Sequence, residues 1–312
     1  MMGGYAAFQT NLNITVKGNI VDRSRVIQSW GETSNEDFHN DYYRENIVSA
    51  TFLDDARVPS NAVESWDVSE TKDRGVMAYV VPNDEDNTKY DLYIGAKDGV
   101  IANEDSSWLF YEFVGLASIN FNNSFDTSHA TNMLGMFTNC CELLTIDVSE
   151  FNTSNVTNMT YMFASSISAR PMKLQTIIFG ENFDTSNVTN MWAMFGNCND
   201  LINLDVSGFN TSNVTNMYDM FSSCHSLISL DLSNWDTSKV TNMNGMFFGC
   251  KNIVSLDLCS FNTNNVTDMT GMFASTQKLT ELKVGPTWTT DNAITTRMFT
   301  NSAVSSVTTG QC

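Results

Sequence analysis

Seven cysteines are the side chains whose spacing most directly invites a chemical interpretation. They are Cys140, Cys141, Cys198, Cys224, Cys250, Cys259 and Cys312. No Cys-x-x-Cys pair is present, so the usual ligand spacing of a zinc site is missing. Cys198, Cys224 and Cys250 recur every 26 residues and could stack into disulfides or a metal site. The alternative is a column of buried thiols that pack as small apolar groups. We favour it because Ser166 and Thr276 fill the equivalent position elsewhere, and we expect Cys312, which lies outside the column, to be an accessible thiol.

A recurring aspartate is the second candidate. The column consists of Asp147, Asp205, Asp231 and Asp257, each between two apolar residues. On a strand such residues point away from the core. The carboxylates then either attract cations or a basic partner, or form a solvated surface that discourages unwanted association. No metal and no cofactor is expected, since the Gly-Gly-x-Gly-x-Asp calcium repeat is absent.

Catalytic motifs are missing. The histidines are His39, His129 and His225, and only His39 has acidic neighbours, in Glu36-Asp37-Phe38-His39. The sequence contains no Gly-x-Ser-x-Gly, Walker or His-Glu-x-x-His motif. We therefore predict that the chain is not an enzyme.

A repeat must position these residues. Met-Phe pairs end at Phe137, Phe163, Phe195, Phe221, Phe247, Phe273 and Phe299, in steps of 26 residues except one of 32. Such a period is typical of a solenoid. Each repeat contains an apolar alternation such as Ile146-x-Val148, which predicts a short parallel strand, and apolar residues three apart, such as Val156, Met159 and Met162, which predict a short helix. We place the helix N-cap at the Asn or Asp after the aromatic, as at Asn152; a start three to five residues later is the alternative.

The repeat resembles a known family. Phe-Asn-Thr-Ser-Asn-Val-Thr-Asn-Met-x-x-Met-Phe, as in 209–221, is similar to the BspA-like leucine-rich-repeat surface proteins of bacteria, over roughly 110–299. The resemblance implies a right-handed α/β solenoid with a leucine-rich-repeat-like coil, a cell-surface or secreted location, and adhesion to proteins or cells. No signal peptide, wall-sorting motif or transmembrane stretch is recognised in the sequence, so no membrane insertion is expected.

The repeat pattern divides the sequence into two predicted regions. Residues 1–107 are predicted to be a β-rich cap, with strands at Ile47–Phe52, Val76–Val81 and Tyr90–Ile94, and 108–312 to be the solenoid with a degenerate last coil. The net charge of −19 argues against nucleic acid as a partner.

The expected function is non-enzymatic binding of a protein or cell-surface ligand by the rigid repeats. Two faces are candidates: the strand side with the aspartate column, which we favour because its side chains vary between coils, and the helix side with Tyr161, Trp192 and Tyr218. In the alternative, the solenoid is a passive stalk and residues 1–107 carry binding or, with less support, catalysis. The ligand cannot be named from the sequence.

Overall fold

The computed structural model describes residues 21–29, 44–166, 171–309 and 312. A 3-10 turn spans Arg23–Arg25. The strands are β1 (Ile47–Leu53), β2 (Glu64–Asp67), β3 (Val76–Pro82), β4 (Tyr90–Ala96), β5 (Val100–Ile101), β6 (Ser118–Asn120), β7 (Phe125–Asp126), β8 (Thr145–Val148), β9 (Thr176–Phe179), β10 (Ser255–Leu258), β11 (Glu281–Val284) and β12 (Thr308–Thr309). His39 lies outside the described residues.

The N-terminal region forms a five-stranded sheet in the order β2-β3-β4-β1-β6. The three strands predicted there are confirmed, and β3 and β4 pair as an antiparallel hairpin. Strand β1 pairs in parallel with β6, which belongs to the first repeat. One sheet thus joins the N-terminal region to the repeats.

Successive repeats lie on one another in parallel. Single β-bridges link equivalent Asn, Asp or Ile residues of neighbouring repeats, in the order Asp105, Asn132, Asn158, Asn190, Asn216, Asn242, Asp268 and Ile294. The Phe rings stack in the same way. Phe195, Phe221 and Phe247 are separated by 5.6 and 5.7 Å between ring centroids, with planes 7° and 11° apart. The column runs from Phe110 to Phe299, and its interior rings are fully buried.

The predicted fold class, an α/β solenoid with a strand and a short helix per repeat, is wrong. Among the described residues of 108–309 there is no α-helix. Turns occupy the segments that we assigned to helices. The Asn152 side chain does not cap a helix: its Oδ1 accepts the Ser154 backbone N–H at 3.1 Å, as in an Asx turn. Asn158 makes the same turn with the backbone N–H of Thr160 at 3.1 Å.

Left-handed residues explain why no helix forms. The residue two before each Phe of the column has φ between +48° and +65°: Trp108, Gly135, Tyr161, Ala193, Asp219, Gly245, Gly271 and Arg297. Most repeats have a second left-handed residue two positions after the Phe, as at Asn197 and Ser223. An α-helix needs a continuous right-handed run, so these residues break it into turns. The apolar residues recur every three positions because the turns are consecutive. Each turn is closed by a backbone hydrogen bond, such as the one from Met194 N–H to Met191 O at 3.2 Å.

The strand side is also less continuous than predicted. Small parallel sheets form at β8-β9 and at β10-β11-β12. The two repeats between them, which contain Asp205 and Asp231, have no assigned strand, although Asn203 bridges to Thr176. The described residues are thus mostly short strands and turns.

The cysteines divide into two groups. Cys140, Cys141, Cys198, Cys224 and Cys250 form no disulfide and are buried, as predicted for the column of Cys198, Cys224 and Cys250. Cys259 and Cys312, in contrast, form a disulfide with their Cα atoms 5.7 Å apart. Our expectation that Cys312 is an accessible thiol is therefore wrong. The bridge fastens Cys312 to the residue that follows β10.

Candidate binding surfaces

The predicted aspartate column has a structural task in every repeat where it occurs. The Oδ1 atoms of Asp147, Asp205, Asp231 and Asp257 each accept a hydrogen bond from the backbone N–H two residues further on, at 2.9, 3.0, 3.1 and 3.1 Å. Hydrogen bonds from the side chain and backbone of Ser207 lower the pKa of Asp205, and Ser233 does the same for Asp231. Asp205 and Asp231 therefore stay anionic at neutral pH, and the whole column shapes the turn after the strand position.

An exposed apolar row lies three residues before the aspartate column. Leu144, Ile202, Ile228 and Val254 are 45 to 56% exposed. Backbone hydrogen bonds place neighbouring repeats in contact along this row, since Val254 N–H donates to Ile228 O at 3.3 Å. We call these four residues the apolar row. The row was not predicted, although the sequence carries a signal for it: an apolar residue directly follows the buried Leu or Ile of each of these repeats.

In three consecutive repeats the apolar row and the aspartate column run side by side. Ile202, Ile228 and Val254 are followed at a fixed offset of three by Asp205, Asp231 and Asp257. The position between them is polar: Asn203, Ser229 and Ser255. Large exposed aliphatic side chains in a contiguous row are unusual on a surface that contacts only water. This strand side combines apolar area with negative charge.

The predicted aromatic residues meet one another on a different column. The ring centroids of Tyr161 and Trp192 are 5.1 Å apart, and those of Trp192 and Tyr218 are 5.6 Å apart. The planes of the two pairs are tilted by 53° and 61°, and Trp192 and Tyr218 pack edge against face. All three are half-buried. Much of their apolar area is therefore already used in contacts between repeats.

Asp219 is the charged group next to these rings. Burial raises its pKa, while hydrogen bonds with the side chains of Tyr218 and Ser222 oppose the shift. The pKa of Tyr161 is raised by burial and by the Asp219 charge. The Trp192 Nε1 atom is buried and has no hydrogen-bond partner. The surface of this aromatic row is therefore small and partly polar.

Comparison with known proteins gives one match. The family described as "Mycoplasma protein of unknown function, DUF285" matches residues 106–227, 164–283 and 202–308, which together span more than half of the chain. The chain belongs to the DUF285 family. No curated protein and no solved structure matches it. The family description assigns no function, so the DUF285 repeats must be interpreted from their own geometry.

The DUF285 repeats and the described part of the cap offer little for metal chemistry. Within the described residues, no group of three or more His, Cys, Asp or Glu side chains could hold a metal ion. His129 Nδ1 contacts Ser128 Oγ at 3.1 Å, and burial lowers the pKa of His225. No helix among those residues is long and apolar enough to span a membrane.

Proposed function

We propose that the chain is a non-enzymatic binding protein, and that the strand side of its repeats contacts a protein partner with apolar and basic groups. The observation that carries this proposal is the pairing of the apolar row with the aspartate column in three consecutive repeats. Burying exposed aliphatic area is the dominant favourable term in most protein association. Carboxylates beside it select a basic partner and speed up its encounter.

The charge of the whole chain supports the same partner chemistry. A net charge of −19 creates a negative potential that attracts a basic surface and repels acidic ones. At physiological ionic strength this attraction acts over about 8 Å, so the association rate falls as salt is added. The apolar contacts depend much less on salt. For a partner of this kind, the association rate therefore depends on salt, whereas the affinity that the apolar contacts contribute persists at high salt.

We also propose that the protein is exported. The disulfide between Cys259 and Cys312 suits an oxidising compartment, where such bonds persist. The resemblance to BspA-like surface proteins points in the same direction. We infer a cell-surface or secreted protein that adheres to a protein or cell-surface ligand.

The aromatic row is the second candidate surface. Tyr and Trp side chains often anchor interfaces, and these three are only half-buried. We rank it below the strand side because Tyr161, Trp192 and Tyr218 already pack against each other. In the third hypothesis the repeats are a passive stalk, and the N-terminal region alone binds.

Three matched variants of the full chain separate these surfaces. The first replaces Ile202, Ile228 and Val254 by Ser. The second replaces Asp205, Asp231 and Asp257 by Asn, which keeps the Oδ1 acceptor of each turn and removes only the charge. The third replaces Tyr161, Trp192 and Tyr218 by Ala.

The variants are first compared in capture of proteins from a bacterial or host surface extract, and the captured partner is then titrated at low and high salt. We expect the Ser variant to lose binding at both salt concentrations. The Asn variant should bind more slowly at low salt only. Loss of binding by the folded Ala variant alone would move the interface to the aromatic row. Normal binding by all three would favour the N-terminal region.

A further inference from the structure

The backbone hydrogen bonds around the Phe column share one direction along the repeats. In each interior repeat, four alternate residues around the Phe donate their N–H groups to carbonyls of the next repeat. In the repeat of Phe273, Met269, Gly271, Phe273 and Ser275 donate to Ile294, Thr296, Met298 and Thr300, at 2.8 to 2.9 Å. Other donors of the same repeat run the other way, as from Thr267 N–H to Thr241 O at 2.8 Å and from Thr280 N–H to Val254 O at 2.9 Å. The aligned peptide dipoles therefore leave their positive end at the last repeat, by the logic that applies to a helix.

The repeat of Phe299 has the same four donor positions. Thr295, Arg297, Phe299 and Asn301 occupy the donor positions, and their N–H groups have no hydrogen-bond partner among the described residues. Arg297 and Asn301 are left-handed, with φ of +58° and +56°. These alternate N–H groups form a row like the open edge of a sheet, which can bind anions.

A cavity lies at this end of the repeats. Its volume is about 520 Å³, and its lining includes Trp288, Arg297, Phe299 and Val307. Five hydroxyl side chains line it as well, and none of its described lining residues is Asp or Glu. In a chain with a net charge of −19, a cavity with an arginine and no carboxylate is a local exception.

Trp288 is the most buried aromatic residue of the cavity lining. The side chain is 8% exposed, and its Nε1 atom is buried without a hydrogen-bond partner. Trp288 lines the same cavity as Arg297.

The apolar part of the cavity fits a flat group. Phe299 is the last ring of the Phe column, stacked on Phe273 with the centroids 5.6 Å apart and the planes 11° apart. It is half-buried and lines the cavity, where no further ring of this chain covers it among the described residues. A planar apolar group can extend the stack at the usual spacing of aromatic pairs.

We propose that this end cavity binds an organic anion, with a carboxylate or phosphate on a flat apolar body. The oxyanion accepts hydrogen bonds from the free backbone N–H groups and from the Arg297 guanidinium, while the body packs on Phe299. Charge-assisted hydrogen bonds of this kind are the strong ones. The site is distinct from the strand side and does not depend on the function proposed for it.

Amide NMR on the full ¹⁵N-labelled chain tests the proposal, with benzoate and phenyl phosphate as probes and benzamide as the neutral control of the same shape. We expect saturable downfield shifts of the Arg297, Phe299 and Asn301 amide protons with the two anions and none with benzamide. Inorganic phosphate should bind more weakly than phenyl phosphate, because it has no apolar body. A preference between benzoate and phenyl phosphate then distinguishes the two anion classes.

Two variants and their matched controls make the test selective. Arg297→Gln should weaken both anions about tenfold, the loss of one charge-assisted hydrogen bond. Thr295→Asp places a fixed carboxylate at the cavity and should abolish binding. Lys278→Gln and Thr280→Asp change the same charges at exposed residues that do not line the cavity, and should leave affinity unchanged.

Three outcomes would overturn the proposal. Benzamide could bind as well as benzoate, which would make the cavity merely apolar. The Arg297 and Thr295 variants, shown to be folded by their spectra, could bind both anions normally. Sedimentation could show that copies of the chain associate through this end and exclude the probes, so that the donors serve a neighbouring chain.

Discussion

The Cys224 Sγ atom lies 3.1 Å from the backbone carbonyl oxygen of Phe195, one repeat earlier in the stack. The same contact joins Cys250 to Phe221 at 3.1 Å and Cys198 to Phe163 at 3.1 Å. Each thiol is fully buried and donates along the stack, so the column links neighbouring repeats without covalent bonds.

We predict that these thiols are unreactive in the folded protein. Burial raises the pKa of Cys198 and of Cys250 to about 12, and the pKa of Cys224 is raised well above its ordinary value by burial and by its neighbouring thiols. The thiolate is the reactive form, and it is absent at neutral pH. Alkylation followed by mass spectrometry should label none of the three before unfolding and all three afterwards. Rapid labelling of the native protein would contradict the packing.

Alkaline pH should destabilise the same column. An unfolded cysteine ionises near its ordinary value of 9.0, whereas folded Cys198 and Cys250 keep their protons up to about 12. Between these values the folded state binds more protons, so the free energy of unfolding falls as pH rises. Below pH 9 the stabilisation is fully present. Denaturation curves at pH 8 and pH 10.5 should show the loss, and the variant with Ala at both positions should lose less than the parent.

The Phe column should be more sensitive in the middle than at its end. Phe221 is fully buried between Phe195 and Phe247, so Phe221→Ala should cost about 3–5 kcal/mol of unfolding free energy. Phe299 has one stacked neighbour in its column and is half-buried, so Phe299→Ala should cost clearly less. Met220→Ala and Met298→Ala should follow the same order. Equal losses of melting temperature at both ends of either comparison would show that position in the stack does not matter.

The sequence predicted the repeat and its core because burial leaves a direct mark on residue type. The Met, Phe, Val and Cys residues recur in register, and these columns are buried as expected. Strands β1, β3 and β4 were found for the same reason, since each carries a dense run of apolar residues. Such patterns record which side chains face inwards.

The sequence indicates backbone conformation less clearly than it indicates burial. Apolar residues three apart fit a helix and a series of turns equally well, and the left-handed position carries Tyr161, Ala193 and Asp219 as well as glycine. Only its glycines hint at the turn, and three of the eight repeats carry one there. The Cys259–Cys312 pair was missed because a sequence does not record which cysteines meet. Of the candidate surfaces, the aspartates and aromatics were located but the apolar row was overlooked.

Removing the disulfide should loosen the last repeats. The bond closes a loop with a sequence separation of 53, and native disulfides of this kind contribute about 2–4 kcal/mol. The variant with Ser at both Cys259 and Cys312 should melt at a lower temperature and exchange the β11 and β12 amides faster, with little change in β3 and β4. A reducing agent should reproduce the effect in the parent protein and leave the variant unchanged. An unaltered melting curve would mean that the bridge carries no stability.

The left-handed column gives the sharpest test of the corrected fold, because a helix and a chain of turns predict opposite effects of glycine there. Ala193 has a φ of +48°, where a side chain costs about 1–2 kcal/mol and glycine costs little. Ala193→Gly should therefore leave stability unchanged or raise it, although glycine at a helical position would cost about 1 kcal/mol.

Gly271→Ala is the reciprocal change. The φ of Gly271 is +61°, and the added Cβ meets only Ala274 Cβ at 3.9 Å, so any loss of stability reflects backbone strain alone. We expect a loss of about 1–2 kcal/mol. Ala164→Gly, at a buried residue outside the column, should be destabilising and serves as the control. If Ala193→Gly lowers the melting temperature as much as Ala164→Gly, and Gly271→Ala raises it, the repeats contain helices after all.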